Sequence, residues 1–113
     1  MASARRIEKI NILLREVVAA ILERDVPFPP GVLVTVTRVE ATDDLYYAAA
    51  YVSVLGPEEA EREVLAKLER ETGSVQHVLN RKLRMRPVPK ISFAVDQQEK
   101  RRERIEKLLS DQK

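Results

Sequence analysis

At 113 residues, 44% of them hydrophobic and 34% charged, the chain has the size and composition of one soluble globular domain and is too short for two cores. Its formal charge of +2 is modest, so any argument for an anionic partner must rest on where the charges sit; the absence of cysteine excludes disulfides, thiolate nucleophiles and cysteine-ligated metal sites. No apolar run approaches the roughly 20 residues of a membrane span, and Met1 to Arg6 contains no apolar signal core, so a cytoplasmic protein without a membrane partner is expected.

Ile7, Ile10, Leu14, Val17 and Ile21 recur at helical spacing, with Arg6, Lys9, Arg15 and Glu16 on the other faces, and predict an amphipathic helix ending near Arg24. Pro27, Pro29, Pro30 and Gly31 follow as a stiff connection, because proline removes a backbone donor and disfavours helix in the residue before it. Val32 to Glu40 is β-branched and alternating, with Val32, Val34 and Val36 on one face and Thr35 and Thr37 on the other. Ala41-Thr42-Asp43-Asp44 supplies turn chemistry. Tyr46 to Leu55 then resumes the alternation, with Ala48, Ala50, Val52 and Val54 facing one way, which predicts an antiparallel hairpin.

Gly56-Pro57 stops the second strand and opens a helix that turns Ala60, Val64, Leu65 and Leu68 inward and places acidic residues at its start. Gly73 is expected to break this helix and Ser74 to cap a second one, with Val75, Val78, Leu79 and Leu83 as its apolar stripe. Pro87 and Pro89 end that helix, and Ile91, Phe93 and Val95 alternate as a short third strand at an edge or end of the sheet. Asp96 and Glu99 form a candidate capping pair for a charged C-terminal helix whose apolar anchors are Ile105, Leu108 and Leu109. The expected class is α+β in the order α-β-β-α-α-β, with residues 1–96 as one domain and 97–113 as a charged helix or flexible tail. If the second and third strands are parallel, the helical crossover between them is right-handed.

Charge is segregated along this order. Pro57 to Glu71 carries six Glu against three basic residues, whereas the 24 residues from Thr72 to Val95 contain no Asp or Glu and five cations: Arg81, Lys82, Arg84, Arg86 and Lys90. An ordinary solvated face interleaves both signs; a cationic stretch without carboxylates is free to meet phosphates and release their counterions, which points to RNA. Gly73 would set the angle of a helix-kink-helix, and Ser74, Gln76 and His77 would lie near that kink.

Other residues carry less. His77 is the only histidine and has no companion at ligand spacing, which suits a surface or RNA-contact residue better than a metal ligand or general base. Asp43 and Asp44 read as turn formers, and Tyr46, Tyr47 and Tyr51 as strand tyrosines that cover the sheet before they read as base-stacking residues. Three scattered glycines build no phosphate-cradling loop, and no nucleophile-base pattern occurs, so neither catalytic residues, metal, cofactor nor small-molecule substrate is expected.

Two groups of residues carry a resemblance. Ala50-Tyr51-Val52-Ser53-Val54 and the run from Leu83 to Asp96, with its basic L-R-x-R stretch, Pro, apolar residue, Phe and Asp, resemble the second strand and the helix-to-strand signature of the ribosome-binding factor A family over roughly Arg5 to Asp96. The resemblance implies a type II KH domain that binds the maturing small ribosomal subunit and its RNA as a non-catalytic monomer and assists late processing. Members lack the Gly-x-x-Gly loop of ordinary KH domains and carry an Ala-x-Gly kink. This chain also lacks Gly-x-x-Gly, but has Glu71-Thr72-Gly73 at the kink, Gln76 where arginine is frequent and Lys90 where glutamate is common. On this reading Gly73, Ser74, Gln76, His77, Arg81, Lys82, Arg84, Arg86 and Lys90 form the RNA-binding set. Competing readings are an α+β protein-interaction or regulatory module without RNA binding, and a general RNA chaperone indifferent to sequence.

Overall fold

A computed structural model of the chain describes residues 3–110; the first two residues of the expected domain and the last three of the expected tail lie outside the described residues. Helix α1 spans Ala4–Asp25, strand β1 Leu33–Ala41, strand β2 Tyr47–Leu55, helix α2 Ala60–Lys82, strand β3 Lys90–Val95 and helix α3 Gln97–Ser110. The sheet order is β1-β2-β3, with β1 antiparallel and β3 parallel to the central β2. The expected α+β class and the edge position of the last strand are observed.

Both long helices cover one face of the sheet, α1 beside β1 and α2 beside β3. Leu14, Val18, Ile21 and Leu22 of α1 and Val64, Leu68, Val75 and Leu79 of α2 are buried against Ala48, Ala50 and Val52 of the central strand. Small residues on that strand leave room for leucines arriving from two helices, which satisfies the close packing of an interior without overfilling it. Ser3 caps α1 by accepting from the Arg6 N–H at 3.2 Å. Gly31 takes φ +83°, a backbone conformation that side chains rarely tolerate, and Gly56 lies so near Ala60, Gly31 and Val32 that a Cβ there would press on them at 3.2–3.3 Å.

Two features depart from the expected elements. The alternation of β1 changes phase at a bulge between Val36 and Arg38, so that Val36 and Val39 are both buried although three residues apart. In α2, the break expected at Gly73 is absent: the helix runs continuously for 23 residues, and Ser74 is an interior exposed residue, not a cap. Val64, Leu68, Val75 and Leu79 stay in phase on one face across the glycine, and their burial outweighs the roughly 1 kcal/mol by which glycine disfavours a helix relative to alanine. The Thr72 hydroxyl, bonded to the Leu68 carbonyl at 2.7 Å, adds no competing cap.

Each sheet edge receives an amide side chain from the helix beside it. Asn11 of α1 accepts from the Ala41 N–H at 2.8 Å, and Gln76 of α2 accepts from the Ile91 N–H at 2.8 Å while donating to the Pro89 carbonyl at 3.0 Å. At the far end of β3, Asp96 is 5% exposed and joins three elements. Its Oδ1 caps α3 by accepting from the Gln98 and Glu99 N–H groups at 3.0 and 3.1 Å. Its Oδ2 accepts from the Thr37 hydroxyl in the bulge and lies 3.5 Å from Arg38 Nε. The reciprocal half of the expected capping pair is not made, because the Asp96 N–H donates to Val52 within the sheet. Burial raises the Asp96 pKa, but the Thr37 hydroxyl, the Glu99 N–H, the Arg38 charge and the Gln98 N–H outweigh it and hold the carboxyl below its ordinary 3.8. Beyond this cap α3 projects from the body, with none of its residues buried.

A carboxyl depressed in the folded state stabilises the fold fully above its unfolded pKa and ceases to do so as pH falls through the lower, folded value. Asp96→Ala is expected to lower unfolding free energy by roughly 2–3 kcal/mol at neutral pH, through the lost cap and the unpaired Thr37 and Arg38 groups. Asp96→Asn, which keeps the Oδ1 acceptor, should lose less and show a shallower decline of stability below about pH 4; denaturant titrations across pH read both. Gly73→Ala should stabilise the chain by about 0.5–1 kcal/mol in thermal unfolding, since the added Cβ meets nothing within 4 Å. Destabilisation would mean that the helix does not run straight through this residue.

Candidate nucleic-acid interface

The basic residues converge because the chain turns back at once after α2. Leu83 leaves helical geometry with φ −94° and ψ 141°, and the following segment alternates: Leu83 is buried and Met85 half-buried, while Arg84 and Arg86 face solvent. Val88 and Pro89 anchor the return, and the Gln76 amide clamps Pro89 and Ile91 beside the last turns of α2. Arg81 and Lys82 at the helix end, Arg84 and Arg86 in the connection and Lys90 at the start of β3 therefore share one end of the molecule, all of them exposed. Among the described residues none of the five forms an ion pair; the acidic partners present engage Arg24, Arg38, Lys100 and Arg102 instead.

The five are not equivalent. Arg86 folds its guanidinium back onto the Leu83 and Met85 carbonyls at 2.9 and 2.7 Å and reaches the Asn80 carbonyl at 3.5 Å. The Asn80 carbonyl is one that the last turn of α2 leaves without an intrahelical partner and Leu83 is the residue capping that helix, so the guanidinium sits where the helix dipole presents its negative pole. Left bare, that pole would repel a phosphate. With Arg86 on it, Arg81, Lys82, Arg84 and Lys90 remain available as unpaired cations.

The other sequence-predicted residues divide. Gly73, Ser74 and His77 are exposed on the outer side of α2, within the acid-free part of the helix. Gln76 is half-buried, and its amide is committed to Asn80 at 3.0 Å and to the backbone at Pro89 and Ile91, so it positions the site and offers no free amide to a ligand. Sequence reasoning missed this clamp, since nothing local distinguishes a glutamine that closes a strand edge from one that faces water. It also did not place the tyrosines: Lys90 is the register partner of Tyr47, and the Lys90 N–H donates to the Tyr46 carbonyl at 2.8 Å, so Tyr46 and Tyr47 border the basic end.

Among the described residues no group of three or more His, Asp or Glu is placed to hold a metal ion, and no helix is long and apolar enough to cross a membrane. A cavity of about 340 Å³ lies between Phe28 and α2, lined by Val32, Ala60, Val64 and Lys67. The Lys67 ammonium on its wall bonds to the Pro27 carbonyl and lies 5.5 Å from the Phe28 ring centre.

Known proteins share this fold. The family profile described as Ribosome-binding factor A matches residues 6–109. The ribosome-binding factor A of Natranaerobius thermophilus is 37% identical over 107 residues, which span 95% of this chain and 82% of that protein. Among solved structures, a Thermotoga maritima protein determined by solution NMR superposes with a TM-score of 0.69 at 30% identity, covering 83% of this chain and 90% of its own. A Thermus thermophilus ribosome binding factor A, a homology model fitted into the cryo-EM map of a 30S complex with that factor, gives 0.63 at 26% identity, covering 74% and 88%. The common layout is a KH-like α+β domain, which in this chain has no Gly-x-x-Gly loop, and by profile and identity together this chain belongs to the ribosome-binding factor A family.

Proposed function

We propose that the protein is a non-catalytic assembly factor that binds the immature small ribosomal subunit through its 16S ribosomal RNA and assists late maturation and processing of that RNA in the cytoplasm. The observation that carries this reading is the exposed, acid-free end of the molecule, whose cations have no carboxylate partners among the described residues. The Thermus relative fitted into a 30S complex supports the ribosomal destination. Arg81, Lys82, Arg84 and Lys90 pair with phosphates, Arg86 neutralises the helix end beneath them, and Ser74 and His77 meet the RNA along the outer side of α2 with Gly73 allowing close approach. Gln76 holds the corner in shape. Residues 1–96 act as the binding domain and 97–113 as an appended charged helix. The factor works as a monomer that holds RNA in a pre-mature arrangement until displaced, with neither cofactor nor small-molecule substrate.

Neutralising about four phosphates gives a slope of log affinity against log salt of about −3, using the single-strand coefficient. The double reversal Arg81→Glu with Arg84→Glu, at exposed positions that leave the core intact, should roughly halve that slope and weaken association with immature subunits by about tenfold or more. Co-sedimentation with immature against mature subunits at several salt concentrations reads both quantities. Unchanged association and normal RNA processing in the double variant would refute the proposed surface, and equal competition by unrelated bulk RNA would refute ribosomal specificity.

A further inference from the structure

The three tyrosines of β2 and its approach differ in what covers their rings. Tyr51 is half-buried beneath the Arg38 guanidinium, whose centre lies 4.0 Å from the ring centroid, and Arg38 is in turn paired with Glu40 and Asp96. Tyr51 is therefore already stacked within its own chain. Tyr47, on the same strand and the same open side of the sheet, is 59% exposed, Tyr46 is 56% exposed, and among the described residues no cation lies over either ring. The sheet carries at one end an occupied cation-aromatic pair and at the other an unoccupied ring.

The surroundings of the unoccupied ring fit a planar ligand attached to an anion. Along the open side, the next residues are Ala49 on β2 and Ser92 on β3, too short to rise over a flat ring laid on the tyrosine, while Glu40 across from Ala49 on β1 is turned to Arg38. On its flank stands Lys90, its register partner in the adjacent strand, exposed and unpaired, at the edge of the cationic end. Adjacent strands lie about 4.8 Å apart, so the ammonium is within reach of a phosphate belonging to a nucleotide whose base covers Tyr47. Of the acids nearby, Asp44 accepts from the Thr42 hydroxyl at 2.6 Å and the Tyr46 N–H at 3.0 Å, Glu40 pairs with Arg38, and Asp43 lies exposed in the turn four residues before Tyr47. Exposed apolar side chains that would favour a protein partner, Leu33 and Leu55, pair with each other at the opposite end of the hairpin.

From this juxtaposition, and resting on the RNA-binding reading above, we infer that Tyr47, flanked by Tyr46 and Lys90, is a stacking platform for an unpaired base, so that the RNA bound at the basic end is single-stranded where it crosses the start of β2. A base inside a duplex has both faces covered by its neighbours and cannot stack on a tyrosine, whereas an unpaired base can. The cations supply affinity for any RNA; the tyrosine selects a strand with a free base.

The test uses the full chain and two RNA oligonucleotides, each a short hairpin with a single-stranded purine overhang, one of them carrying an abasic site in the overhang. The wild type should bind the purine form about tenfold more tightly than the abasic form. Tyr47→Phe should keep that ratio, and Tyr47→Ala should abolish it while leaving the salt slope unchanged. The chain has three tyrosines and no tryptophan, so quenching of its intrinsic emission by the purine form, but not by the abasic form, provides a second readout that needs no variant. Equal affinity for both RNAs, or a purine preference that survives Tyr47→Ala, overturns the inference, as does a Tyr47→Ala variant that loses subunits while retaining its RNA affinity, which would assign the face to a protein. Salt-dependent binding without base preference refutes the platform alone; no binding of either RNA refutes the RNA-binding reading with it.

Discussion

The parallel pairing of β3 with β2 is the constraint on which the rest of this molecule depends. A parallel pair needs a long crossover, and the hydrogen bonds it forms are slightly weaker per residue than antiparallel ones, so a six-residue edge strand is poorly held by its ladder alone. Both of its ends are fastened by side chains. Gln76 grips the entry of the strand from α2, and Asp96 ties its exit to the bulge of β1 and to the first turn of α3. Between these fastenings Ile91 is driven into the core, and the geometry of everything attached to β3 follows.

That pairing converts a pattern of charge along the chain into a shape of charge in space. The acidic residues of α2 lie in its first half, Glu61 and Glu63 at the positive end of the helix dipole, and Arg81 and Lys82 lie in its last turn. A helix so polarised would carry cations at its C-terminal end for its own stability whatever its partner. The return of the chain over that end adds further cations without any acid, and one of them, Arg86, bonds the Asn80 carbonyl of the helix and the Leu83 carbonyl at its cap. Arg86 is thereby spent within the chain, and Arg81, Lys82, Arg84 and Lys90 are left for a polyanion.

Much of this was legible in the residues. The hairpin, the proline-rich connection and the edge strand follow from alternation and turn chemistry, and the cationic end follows from the absence of carboxylates over 24 residues. The continuity of α2 was legible too, since Val64, Leu68, Val75 and Leu79 keep a single helical phase through Gly73; the local breaking tendency of glycine obscured a longer-range signal of burial. Other features could not be read. The bulge at Thr37 depends on pairing with a strand that comes later in the chain, and the value of Thr37 and Arg38 to Asp96 depends on the third strand arriving beside them. The roles of Gln76 and Tyr47 are likewise set by what the fold places next to them, a strand edge in one case and a lysine in the other.

The two amides that reach the sheet margins have a consequence for the protein as one molecule among many copies. An open three-stranded sheet has two flanks, each with backbone groups able to recruit a strand from a neighbour. Asn11 stoppers one such group on β1 and Gln76 another on β3, so an incoming strand must first dislodge a side chain at either flank. A crowded cell thus meets a sheet whose margins resist sideways growth into shared ribbons.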